Sequence, residues 1–254
     1  MKSLSRLLVI LLVGVCLDSW TSRALAVDCS ALPSAAQLKQ FLQNAATGTG
    51  ISASLGPGTG VGGLFGGQRM WAAAVNRSGR LCVLVTSTTD PTQVWPGSQA
   101  IAKAKAHTAN ALSLDTLPLS TALLYTFVQP GHSLFGLNQS NPFDPHFLVG
   151  PYVNGDAGFN QITGGIITFG GGVPAYKGGL IVGAIGVSGD TACADHEIAK
   201  RVRDLAGLNP SGGPLQDDIT YSSADGASVF THPLCKNTLR NGTALGDELP
   251  ASGY

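Results

Sequence analysis

The stretch GGGVPAYKGGLIVGAIGVSGDTACADHEIAKRVRDLAGL, residues 170–208, decides how this chain is read. It runs as a glycine turn, a buried strand and a helix in succession. Leu180–Val187 (LIVGAIGV) is a short apolar run held between Gly178-Gly179 and Ser188-Gly189. That is the pattern of a central strand covered on both faces. Gly183 and Gly186 put no side chain into it, so a second backbone, a helix or a flat ligand can approach closely. Asp190 or Thr191 then caps a helix whose apolar residues Ile198, Val202 and Leu205 recur at helical spacing, and Gly207 ends it.

Outward from this unit, Ile162–Phe169 (ITGGIITF) reads as a strand paired with Leu180–Val187 through a turn at Gly170–Gly179. Met70–Val75 and Leu81–Val85 flank Asn76-Arg77-Ser78-Gly79, a hairpin with a four-residue connection. Ser98 opens the helix QAIAKAKAHTANALSL. Helical spacing puts Ile101, Ala104, Thr108, Ala111 and Leu112 on one face, with Lys103, His107 and Asn110 on the flank. Further back, Ser34 and Gln37 form a capping box ahead of the stripe Leu38, Phe41 and Leu42. The tract Thr47–Gly67 contains Gly58-x-Gly60-x-x-Gly63. A dinucleotide fingerprint needs a strand before it and a helix after it; with neither, the tract reads as a loop.

The chain opens with Lys2 and Arg6 ahead of Leu7–Val15, too short to span a bilayer, and Ala24-Leu25-Ala26 makes a cleavage site. Cleavage after Ala26 leaves 228 residues, 12 basic and 14 acidic, a formal charge of about −2. That charge gives no footprint for nucleic acid or an anionic membrane surface. With 44% hydrophobic residues and no further long apolar run, residues 27–254 are expected to bury a core as a single domain. The expected location is secreted or periplasmic, with no integral membrane segment in the mature chain.

Cys29, Cys82, Cys193 and Cys235 remain after cleavage, an even count that favours two disulfides in an exported chain. Three connectivities are open. The pairing Cys29–Cys82 with Cys193–Cys235 is expected, because each bridge would tie a terminal segment to the sheet or helix beside it. A rival is a zinc site, since Cys193-x-x-His196 and His232-x-x-Cys235 have the residue types and spacing for one. An oxidising compartment favours the disulfides. The segment 117–158 is long and aperiodic, and carries Phe135, Phe143, Phe147 and Tyr152 beside His132 and His146. So many aromatics must cover a ligand, a neighbouring subunit or, most commonly, the protein's own core.

MWAAAVNRSGRLCVLV, AIAKAKAHTANALS, GGVPAYKGGLIVGAIGVSG and the following DHEIA together resemble the haem-binding, haem-degrading GlcG- and HbpS-like family. The matched segments fall mainly within residues 70–208, interrupted by the 117–158 insertion. The resemblance implies a layered, profilin-like α/β (α+β) domain with a mainly antiparallel sheet of about five strands, homo-oligomers, and haem or a similar flat hydrophobic ligand. The family's helix motif falls on Ala102, Lys105, Ala106, Thr108 and Ala109. It implies cofactor contacts at Lys105 and Thr108. His107 sits at the motif's variable position and is by its chemistry the better iron ligand. Gly171, Gly172 and Pro174 fall on the family's GG-x-P turn, where backbone amides could meet propionates. The family's arginine-containing segment before the helix is replaced by STTDPTQVWPGS.

Two other classes compete with a haem-binding, slowly haem-degrading protein. Gly186-x-Ser188-Gly189-Asp190 sits between strand and helix as a nucleophile elbow would, with His196 or His232 as base. Asp190 replaces the last glycine of that pattern. The other is a non-catalytic interaction module that oligomerises without a cofactor.

Overall fold

The computed structural model describes residues 28–148 and 159–249. The leader reading and Tyr152 lie outside them. Four antiparallel strands form the sheet: β1 (Trp71–Asn76), β2 (Leu81–Thr86), β3 (Gly172–Lys177) and β4 (Leu180–Ser188), in the spatial order β2-β1-β4-β3. Three helices cover it: α1 (Ala35–Thr47), α2 (Ser98–Leu112) and α3 (Ala192–Leu205). A separate ribbon pairs β5 (Thr238–Arg240) with β6 (Thr243–Gly246). The fold is therefore α+β and mainly antiparallel. No helix among the described residues is long and apolar enough to cross a membrane.

The period of two in β1 sets the layers. Trp71, Ala73 and Val75 point to one face, where they meet Ala102, Ala106 and Ala109 of α2. Ala72 and Ala74 point to the other, where Leu38 and Leu42 of α1 and Ile198 and Val202 of α3 complete the core. Gly186 lets α2 lie directly on the sheet: a Cβ there would overlap the Ala102 carbonyl and the Ala106 nitrogen. The caps follow the sequence. Ser34 and Gln37 make the reciprocal capping box of α1, Thr191 caps α3, and Gly207 follows α3 in the left-handed region at φ 66°.

Two expectations are corrected. Ile162–Phe169 is not a strand. Gly164 and Gly165 take φ of 71° and 88°, which no extended run tolerates, and the Ile167 N–H bonds to the Thr108 hydroxyl instead of a sheet partner. The partner of β4 is β3, drawn from residues read as turn, and the turn itself is Gly178-Gly179. Pro174 is tolerated because β3 is an edge strand. The expected α2 face is also only partly right. Ala111 is exposed and Ile101 half-buried, whereas Ala102, Lys105, Ala106 and Ala109 are interior. The stripe was masked because α2 is buried on two sides, by the sheet and by the segment after residue 117.

The disulfides are Cys29–Cys82 and Cys193–Cys235, as expected. The zinc reading fails in this oxidised state, since both sulfurs of its set are bonded to each other. His196 also turns away towards Asp218, with Nε2 3.5 Å from the carboxylate.

Candidate functional site

Helix α2 carries the residues singled out for a ligand, and the structure divides them sharply. Lys105 is interior. Its ammonium lies 2.6 Å from Asp195 Oδ2, donates to the Val187 carbonyl at 3.0 Å, and sits 4.8 Å from the centre of the Phe169 ring. Burial pulls the Lys105 ammonium below its usual range and pushes the Asp195 carboxyl up to about 6, while each charge holds the other ionised. Thr108 is equally committed: its hydroxyl donates to Ala104 O at 2.8 Å and accepts from the Ile167 N–H at 2.9 Å. Gly172 N–H donates to Thr121 Oγ1 at 2.9 Å, and the Gly171 carbonyl accepts from Val187 N–H at 2.8 Å. A Cβ on Gly171 would come 2.7 Å from the Lys105 ammonium. The backbone of this turn packs on Lys105 and Thr121, with no opening for a propionate.

His107 differs. It is half-buried on the flank of α2, facing the hairpin turn, where a Cβ on Gly79 would stand 3.6 Å from Nδ1 and 3.9 Å from the Ile162 side chain. Nδ1 is enclosed without a hydrogen-bond partner. Desolvation lowers the imidazole's pKa and so favours the neutral ring that can donate a lone pair to a metal. Ile162, about half exposed, lies beside Arg80 and makes the adjoining surface apolar. Tested against a flat iron macrocycle, His107 Nδ1 is walled off by the hairpin turn, so only the other ring nitrogen is left to meet a ligand, and Lys105, Thr108, Gly171 and Gly172 are taken up by the protein's own contacts.

The family model described as "Haem degrading protein HbpS-like" matches residues 65–204, more than half of the chain. The chain belongs to the HbpS-like family. Corrinoid adenosyltransferase PduO of Citrobacter freundii is 31% identical over 112 residues, 44% of this chain and 25% of that protein. An uncharacterised 15.0 kDa protein encoded between dhaT and dhaS in the same organism is 33% identical over 100 residues, 39% of this chain and 52% of that protein. The matches thus span about a quarter to a half of these relatives' lengths. A solved PduOC–haem complex aligns with a TM-score of 0.44 at 21% identity, covering 68% of this chain and 91% of that one. Both disulfides join the HbpS-like part, residues 65–204, to segments outside it, through Cys29 and Cys235.

One cleft flanks the family helix, and another lies between the segments that follow it. The smaller, about 210 Å³, lies between Ile101 and Ala104 of α2 and Phe143, Leu148, Ile166 and Ile167. It falls below the roughly 300 Å³ at which enclosed sites for drug-sized ligands begin. Phe143 of the insertion packs close to Gly165 and Ala104, and Ala122, Leu123, Leu124 and Val128 are buried, so much of this segment covers the protein's own core. Phe135 and His132 remain exposed. The larger cleft, about 620 Å³, is walled by Leu119, Leu123, Ile219 and Phe230 over Asp218 and Arg240. No imidazole, thiol or thioether lines it. Its acids are already engaged: Asp218 with Lys200 at 2.6 Å, and Asp225 with Arg240 through two hydrogen bonds. Sequence reasoning missed this cleft because its walls come from aperiodic segments about a hundred residues apart.

The nucleophile-elbow reading is overturned. Ser188 is the buried last residue of β4, opposite Trp71, and neither His196 nor His232 hydrogen-bonds to it. Asp190 explains the motif. Its carboxylate accepts N–H bonds from Leu64 at 2.6 Å, Phe65 at 2.9 Å and Gly67 at 3.2 Å, which folds the glycine-rich tract against the start of α3.

Proposed function

We propose that this chain is an exported haem-binding protein that holds the iron through His107, on the open side of the β1–β2 hairpin. Membership of the HbpS-like family motivates the ligand class, and the observation that carries the site is a half-buried imidazole, held neutral by desolvation, beside exposed Ile162. Haem bound there would supply redox-active iron for a slow degradation of the macrocycle. The chain's own part would be an imidazole nitrogen as donor, an apolar resting surface and access from solvent. Such a shallow site covers one face of a flat ligand, so a second copy of the chain is the natural cover for the other, and we infer a homo-oligomer. Two disulfides suit the oxidising compartment to which residues 1–26 would send the chain.

A haemin titration followed by the Soret band tests the reading. Saturable binding near one haem per chain, lost in His107→Ala, is the expected result. A specific observation favours a second reading, an oligomerising module without cofactor: Lys105, Thr108, Gly171 and Gly172 are all interior. A defined oligomer in solution with no Soret shift would decide for it.

A further inference from the structure

We propose that reduction of the Cys193–Cys235 disulfide uncovers a metal site, completed by His232, that takes one zinc(II) ion. The two sulfurs and a ring nitrogen of His232 lie within 4.8 Å of one another, and all three residues are buried. They come from two places in the chain, the first turn of α3 and the loop before β5, so the folded protein already brings the donors together. The inference is independent of the haem reading.

Several features suit the site to thiolates. Cys193 is the second residue of α3, a helix of 14 residues, where the positive end of the helix dipole stabilises an anionic sulfur. The Cys193 N–H points at Cys235 Sγ, 3.1 Å away. His232 Nδ1 lies 2.7 Å from the Pro233 carbonyl, which requires the ring proton there. The lone pair then falls on Nε2, whose contact is a long one, 3.4 Å from the Gly170 N–H. A backbone carbonyl fixing one ring nitrogen, while the other keeps only such a long contact, is the usual support of a metal-binding histidine. Two thiolates and one divalent ion sum to zero charge, which an interior can hold, whereas a monovalent ion would leave a net negative charge buried. His196, one turn further along α3, faces Asp218, so the fourth position is left to water.

A phosphine makes the site without competing for the metal. It takes the oxygen of one water and becomes a phosphine oxide; two electrons and two protons pass to the sulfurs. Zinc then displaces both thiol protons to solvent.

The experiment compares oxidised and phosphine-reduced protein after equilibration with zinc and removal of free metal, with cobalt(II) as a spectroscopic probe. One equivalent held by the reduced protein alone, with sulfur-to-cobalt charge-transfer bands, is expected. His232→Ala should weaken binding by more than the roughly 10–100-fold that an outer-sphere change costs. Cys193→Ser should abolish it. A reduced protein that keeps its circular dichroism but holds no zinc overturns the proposal, as does unchanged binding in either variant. If reduction unfolds the chain, zinc must restore the native spectrum, and failure to do so is equally fatal.

Discussion

The Lys105 ammonium and the Asp195 carboxylate meet at 2.6 Å, and neither side chain is more than 2% exposed. The pair ties α2 to α3 across the edge of the sheet. Removing one partner leaves the other charge stranded in a low dielectric. Lys105→Ala should therefore cost about 3–5 kcal/mol. Lys105→Met, which leaves Asp195 free to take up a proton, should cost less near pH 5 than at pH 8. Urea denaturation at both pH values checks this.

Gly186→Ala tests the contact between α2 and the sheet. The added methyl would overlap the Ala102 carbonyl and the Ala106 nitrogen, which are backbone and cannot rotate aside. A loss at the upper end of the about 1–3 kcal/mol usual for overpacking is expected, read as a lower thermal midpoint. Gly178→Ala, where a Cβ meets nothing within 4 Å, is a control for the backbone term alone, since φ there is 59°.

Acid stability should depend on Asp218. Burial alone would raise its carboxyl, but the Lys200 ammonium and His196 beside it hold it well below the usual range. A carboxyl depressed in the folded state stabilises above its unfolded pKa of 3.8, and that contribution is lost as pH falls below it. Asp218→Asn should be less stable near pH 6 yet lose less on going to pH 2, when denaturant midpoints are followed across that range.

For haem, the two helix positions should separate. His107→Ala should remove the Soret shift at little cost in stability, because the side chain is half-buried and Nδ1 has no partner to lose. Thr108→Ala should lower stability by about 1–3 kcal/mol, since the Ile167 N–H loses its acceptor, while haem still binds. Spectral titration and thermal melts of the same two variants read both outcomes.

Much of the frame was legible because it rests on local chemistry. The capping box at Ser34 and Gln37, the hairpin at Asn76–Gly79 and the run Leu180–Val187 each declare their element within a few residues. The family segments were legible too, as motifs in order. What stayed hidden depends on distant partners. GVPAYK looks like turn until β4 lies beside it, and ITGGIITF looks like strand until the φ of its two glycines is known. Lys105 and Thr108 sat at the right motif positions for a ligand, but their partners Asp195 and Ile167 lie 90 and 59 residues away. His107 stood out by its chemistry alone, and it is the residue left available.

Arg201 also fixes an order of events in the making of the protein. Its guanidinium, buried at the centre of α3, donates to the carbonyls of Ala45, Leu55 and Thr59, at the end of α1 and in the glycine-rich tract. Ala45 precedes it by 156 residues. A growing chain therefore releases α1 and the tract from the ribosome long before the side chain that gathers their carbonyls has been synthesised. Whatever structure this amino-terminal part takes before then, those carbonyls gain their shared donor only when α3 arrives.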